Sequence, residues 1–135
     1  MPPDRRRRRC PCGSGRQLRR CCQRLHHGQT PSTAQALMRA RYAAYALGIY
    51  DFILDTTHPD SPHHQHDRSA WKASVAAFGN NTRFLRLIVH EHTEQAEEAW
   101  VAFTAQLEQA GERRDLIERS RFIKVGDFWM YFSGT

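Results

Sequence analysis

Leu116-Ile117-Glu118-Arg119-Ser120-Arg121-Phe122-Ile123-Lys124-Val125 changes character at every second residue. Leu116, Glu118, Ser120 and Phe122 fall on one face, and Ile117, Arg119, Arg121 and Ile123 on the other. A period of two is that of a β-strand. Residues 84–93, 99–107 and 128–132 read the same way and complete a set of four strands. Upstream the period is helical. Thr33 can cap a helix whose Leu37, Ala40, Ala44, Tyr45 and Leu47 make one broad apolar face. The pattern runs on through Ile49, Phe52 and Ile53 to Thr56-Thr57, with Gly48 marking a kink or a break. Residues 58–68 are polar and proline-bearing, hence a loop. A short second helix is expected over Ser69–Phe78, ended by Gly79-Asn80-Asn81. Helices followed by an antiparallel four-strand meander define an α+β layered fold.

Ahead of this body lies Cys10-Pro11-Cys12-Gly13-Ser14-Gly15, and then Cys21-Cys22. These four cysteines are all the chain has, gathered within thirteen residues. Four sulfur donors suit a tetrahedral zinc ion with every position filled by protein, which is a structural or docking element and not a catalytic metal. Two disulfides would need an oxidising compartment. Arg5 to Arg9 stand where an apolar secretion segment would lie, so a cytoplasmic protein is expected. A redox pair lacks the usual C-x-x-C spacing, and a chance cluster of core cysteines is the bland alternative. Gly13 and Gly15 can turn backbone amides toward thiolate sulfur.

The run CPCGSG-x5-CC resembles the SEC-C motif, the zinc-binding tail of the SecA translocase ATPase. The ligands would be Cys10, Cys12, Cys21 and Cys22, with Cys22 where such tails often carry histidine. His26 and His27 follow closely, and exchange with one of them stays open. Further stretches, Thr30 to Tyr45, Thr57-His58-Pro59, Glu91-His92, Ile117 to Phe122 and Trp129 to Thr135, give the whole chain a resemblance to the YchJ-like family. That resemblance implies a SEC-C knuckle followed by a nuclear-transport-factor-like α+β domain, a cystatin-like cone in which a curved four-stranded sheet wraps a long helix. Many members carry a second SEC-C motif after the domain; this sequence reaches Thr135 without one, so a function needing two knuckles is not expected of it.

The expected organisation is an arginine-rich disordered arm over residues 1–9, the zinc knuckle over 10–28 and the cone domain over 29–135. A chain of 135 residues builds one modest core. It has no stretch apolar enough to span a bilayer. Charge is strongly divided: residues 1–41 hold eleven arginines against one aspartate, +10, and the remainder balances at −4, for a total of +6. A block of like charge such as Arg5 to Arg9 is solvated, and is either an anion-seeking arm or an unconstrained terminus. No aromatic residues interleave with the arginines to stack on bases.

Glu118 shares its face with Leu116 and Phe122, so it is carried inward if that face packs on the helix. A buried carboxylate needs a partner, and Arg39, Arg41 or Tyr42 on the long helix are the expected ones. A paired Glu118 would fix helix against sheet; an unpaired one in a pocket could bind a ligand or act as a base. Histidines crowd residues 58–66 and His90 and His92 share a strand face, but a solvated surface explains them better than a second metal site. His58 is expected to bond a helix-end carbonyl.

No nucleophile–base pairing, phosphate loop or dinucleotide fingerprint is present. The first reading is therefore an interaction protein. Its knuckle would present Arg16, Arg19, Arg20 and Arg24 to a partner, as the SecA tail docks on the export chaperone SecB and on ribosomes, in protein export or quality control. The second is a ligand-binding or enzymatic cone domain, an isomerase or hydrolase using Glu118. The third is RNA binding driven by Arg5 to Arg9. A homodimer could pair through the Trp129/Tyr131 strand.

Overall fold

The computed structural model describes residues 8–135. Of the expected arginine-rich arm, Arg5, Arg6 and Arg7 lie outside the described residues.

Thr33 caps the first long helix as expected: its Oγ1 accepts from the Ala36 N–H at 3.1 Å, and, after a short α1 at Cys22–His26, α2 runs Ala34–Leu47. It does not continue to Thr56. Gly48 takes φ +77°, and the amides of Gly48 and Ile49 turn back onto the carbonyls of Tyr45 and Ala44. This Schellman closure satisfies the last carbonyls and ends the helix, which only a residue at ease with positive φ allows cheaply. The apolar pattern resumes as a separate helix, α3, Tyr50–Asp55.

The next helix, α4, spans Arg68–Asn80, with Asp67 accepting from the Ala70 N–H at 3.0 Å. Gly79 does not stop it. The aromatic ring of Tyr50 lies where a side chain would stand, 2.6 Å from an ideal Cβ, so glycine here makes room for α3 against α4.

Four strands follow in a plain meander: β1 Arg83–Glu94, β2 Glu98–Gln109, β3 Glu112–Val125 and β4 Phe128–Gly134, each antiparallel to the next. β2 shows the alternation most clearly, burying Ala99, Val101, Phe103, Ala105 and Leu107 in turn. Those side chains meet Leu37, Met38 and Tyr42 of α2, with Phe122 and Trp129 completing the core. Each large side chain so buried contributes roughly 1.5–3 kcal/mol. Register shifts between Phe84 and Arg86, between Val89 and Glu91, and beside Phe122 bend the strands. Bulges increase local twist and curvature, and here they let the sheet fold around the helices.

The outer edge of β4 is closed at its middle. The Tyr131 N–H donates to the Thr56 carbonyl and the His58 N–H to the Tyr131 carbonyl, both at 2.8 Å. Ser61 Oγ donates to the Phe132 carbonyl at 2.6 Å. The backbone groups of Tyr131 that would pair with a second subunit are thus used within the chain. His58 serves here through its backbone, while its ring Nδ1 accepts from the Asp60 N–H instead of the ring donating to a helix-end carbonyl.

Candidate metal centre and cone cavity

The cysteine segment folds as a tight hairpin that leads into a helical turn. Cys10 N–H donates to the Arg16 carbonyl at 2.9 Å and Leu18 N–H to the Arg8 carbonyl at 2.7 Å. Arg8 and Arg9 therefore belong to the knuckle, which begins two residues earlier than its cysteines suggest. Gly13 and Gly15, at φ +82° and +83°, make the reversal. A 3-10 turn at Leu18–Arg20 and a short helix, α1, Cys22–His26, then bring back the second pair of thiols.

All four sulfurs lie within 4.8 Å of one another. Cys12 Sγ is 3.6 Å from Cys21 Sγ, which is 3.9 Å from Cys22 Sγ. Sulfurs bound at about 2.3 Å around one tetrahedral ion stand about 3.8 Å apart, so the donor set fits a closed four-thiolate site. Ser14 Oγ lies 3.2 Å from Cys21 Sγ, an outer hydrogen bond of the kind that orients a ligand. Crowding splits the acidities. Hydrogen bonding with Cys10 and then Cys22 pushes the Cys12 thiol far down, and Cys10 is pushed up to about 11, chiefly by Cys12. Cys22 is pushed up by Cys10 and Cys12. Gathering further thiolates into this space needs a cation. Among the described residues this is the one group of histidine, cysteine and carboxylate side chains gathered closely enough to hold a metal ion.

The knuckle is bound to the domain, not merely tethered. Arg39 Nη1 donates to the Cys12 carbonyl at 2.8 Å. His26 Nε2 donates to the Ala40 carbonyl at 2.8 Å and its ring meets Phe52 edge-on. Burial pushes His26 below its ordinary value, which favours the neutral ring in this role. Ala40 and Ala43 are fully buried against Cys10, Cys12 and Cys22, their small size letting the hairpin approach the helix closely. Between the knuckle and α2 lies a groove of about 430 Å³ walled by Arg16, Arg20, Arg24 and Arg39, with no carboxylate in its lining. Arg19 is turned to Gln17 Oε1 and does not join them.

Arg39 is therefore committed to the knuckle and not to Glu118. The expected pairing of Glu118 with Arg39, Arg41 or Tyr42 is replaced by another: Glu118 Oε2 accepts from Ser120 Oγ at 2.6 Å. The strand faces are as read, since Ser120 and Phe122 are buried beside a half-buried Glu118. Arg41 finds its acceptors on α3 and just beyond. Its Nη1 donates to the Ile53 carbonyl (3.0 Å), Thr56 Oγ1 (2.8 Å) and Thr57 Oγ1 (3.3 Å), and its guanidinium lies 4.4 Å over the Tyr131 ring. The signal the sequence held for this was the hydroxyl pair Thr56-Thr57. Arg41, Tyr42, Glu118 and Ser120 all line a cavity of about 400 Å³ inside the cone, whose rim includes the partly exposed Phe78 and Leu116.

A cone of this shape fronted by a four-cysteine knuckle defines a SEC-C protein with a cystatin-like or nuclear-transport-factor-like domain. The family model described as "YchJ, middle NTF2-like domain" matches residues 33–134, and that of the SEC-C motif matches residues 6–24. The chain belongs to the YchJ-like family. It is 37% identical over 131 residues to a UPF0225 protein of Serratia proteamaculans, covering 93% of this chain and 82% of that one. A UPF0225 protein of Deinococcus radiodurans is 37% identical over 128 residues, covering 93% and 88%. Among solved structures, a SEC-C motif-containing protein of Rhodopseudomonas palustris superposes with a TM-score of 0.81 at 32% identity, covering 93% of this chain and 96% of that one. A protein of Caulobacter vibrioides with a cystatin-like fold, at 16% identity and TM-score 0.56, covers 74% and 82% and shares the fold. No helix among the described residues is long and apolar enough to cross a membrane.

Proposed function

We propose that this protein is a zinc-organised docking module that recognises an acidic partner surface. The observation that supports this reading is the groove between knuckle and α2, where Arg16, Arg20, Arg24 and Arg39 converge with no carboxylate to neutralise them. Zinc supplies the cross-link that holds four thiolates together; the chain supplies the rest. Arg39 ties the Cys12 carbonyl to α2, so the arginines of the hairpin and of the helix keep a fixed spacing. Ordering settled before encounter lowers the entropic cost of association, and the shared charge speeds it. The resemblance to the translocase tail points to a SecB-like chaperone face or the ribosome as the partner.

The test is binding to a purified SecB-type chaperone and to ribosomes. Wild type is compared with Cys12→Ser and with Arg16→Glu/Arg20→Glu/Arg24→Glu, at low and high salt. Docking through the knuckle predicts loss of binding in both variants, and weakening by salt mainly through the on-rate. Binding that survives both variants and disappears only when residues 5–9 are deleted would replace this reading with the arginine arm and RNA.

A further inference from the structure

The cone cavity lies apart from the knuckle groove and carries chemistry that docking does not use. Its lining is graded. Phe78 and Leu116, 39% and 42% exposed, stand at the rim, and Trp71 and Val75 continue the apolar wall. Arg41, Tyr42 and Ser120 are nearly or fully buried. Three features of that inner end are unexplained by packing.

Arg41 is a buried cation without a carboxylate: among the described residues neither it nor Glu118 takes part in an ion pair. Its hydrogen bonds all leave from Nη1, so Nε and Nη2 have no acceptor within the described protein. Glu118 uses only Oε2, toward Ser120, and Oε1 accepts nothing. Its carboxyl group lies over the Gly134 backbone, in the space that a Cβ at that position would fill. The Tyr42 hydroxyl, on a third wall residue, is buried with no partner. Of these groups the Tyr42 hydroxyl is buried outright without a partner, and an arginine and a glutamate left unjoined in one cavity would gain from meeting directly. Both line the one cavity, whose mouth is apolar, and no ion pair joins them.

We propose that this cavity binds a neutral amphipathic carboxamide, with its aromatic or acyl body between Trp71, Val75, Phe78 and Leu116 and its amide between Arg41 and Glu118. The amide carbonyl accepts from the free guanidinium hydrogens, and the amide N–H donates to Glu118 Oε1. A carboxylate head would gain at Arg41 and be repelled at Glu118. An ammonium head would suffer the reverse. Only a head that accepts and donates on neighbouring atoms without net charge satisfies both walls. A cavity of about 400 Å³ is within the range of small-molecule sites and admits a fused bicyclic body.

The experiment uses the full metal-loaded chain and three probes of one shape: naphthalene-2-carboxamide, 2-naphthoate and 2-methylnaphthalene. Affinities come from calorimetry, and the site from amide NMR shifts of Ser120, Gly134 and Val75. The carboxamide is expected to bind at least about tenfold tighter than either of the others, with shifts confined to the cavity. In Glu118→Gln the naphthoate should gain on the carboxamide, because the repelling charge is gone while the shape is kept. Val75→Trp, which fills the mouth and leaves both charges, should abolish binding of all three. Equal affinity for the three probes overturns the head-group assignment and leaves an unselective apolar hole. Tightest binding of naphthoate to wild type overturns it in favour of an anion site. Absence of binding by every probe, or shifts outside the cavity, means the space holds water only.

Discussion

Arg39, on the outer side of α2, donates from Nη1 to the main-chain carbonyl of Cys12 at 2.8 Å. Together with the His26 bond to the Ala40 carbonyl, it couples the cysteine hairpin to the helix around which the sheet is built. It also fixes one wall of the basic groove. Arg39→Met keeps the aliphatic stem and removes the charged donor. It is expected to cost about 1.5–3 kcal/mol in urea unfolding of the metal-loaded protein, the range for a hydrogen bond made by a charged group. Arg39→Lys should recover part of that. Unchanged stability in Arg39→Met would show that the knuckle is held by the His26 contacts and the alanine–cysteine packing without it.

Metal removal should act beyond the hairpin. Reduced protein supplied with zinc is expected to hold about one equivalent by elemental analysis, since four thiolates complete one tetrahedral ion. Chelation should then raise amide exchange over residues 8–28. It should also do so in α2 around Ala40 and Ala43, because these are fully buried under Cys10, Cys12 and Cys22. Exchange that rises in the hairpin and stays unchanged in α2 would mark the knuckle as an independent appendage.

The buried ring of His26 makes a pH prediction. Its folded value lies below the ordinary 6.5 because burial disfavours the charged form. Below 6.5 the unfolded chain takes up a proton that the folded chain does not, so this contribution is complete above that pH and is lost as pH falls toward the folded value. His26→Gln keeps a donor for the Ala40 carbonyl and cannot titrate. Its urea midpoint should fall less than that of wild type between about pH 7.5 and pH 5.5. Parallel slopes for the two proteins would exclude His26 as the source.

Gly134→Ala tests the seat of Glu118. A methyl group there would overlap the carboxyl group, the far end of a flexible side chain that can turn aside, so the substitution should cost about 0.5–1.5 kcal/mol, the worth of the Ser120 hydrogen bond it displaces. Adding Glu118→Ala should relieve most of that cost, so that the double variant is more stable than the sum of the single changes. Strict additivity would mean that the two groups do not constrain one another.

Much of this protein was set by the order of its residues. The alternation through Leu116–Val125 and along β2 fixed the strand type and which side chains turn inward, because pleat geometry admits only two faces. Cys10, Cys12, Cys21 and Cys22, with glycines between, marked a tetrahedral donor set by their spacing. Thr33 marked a helix start, because capping is a local hydrogen bond between a residue and one three places on. Tertiary structure decided what depended on partners distant in the chain. Gly48 had to close α2 so that α3 could turn back and offer Ile53, Thr56 and Thr57 to Arg41. Gly79 continued its helix because the Tyr50 ring occupied the space beside it. Arg39 and Arg41 lie two residues apart on one helix and so leave it on different faces, one to the Cys12 carbonyl and the other to the cone interior. The identity of a residue states what it can bond. Which of several acceptors it meets depends on how helix, hairpin and sheet come together, and that choice left Glu118 facing a cavity beside an arginine it does not touch.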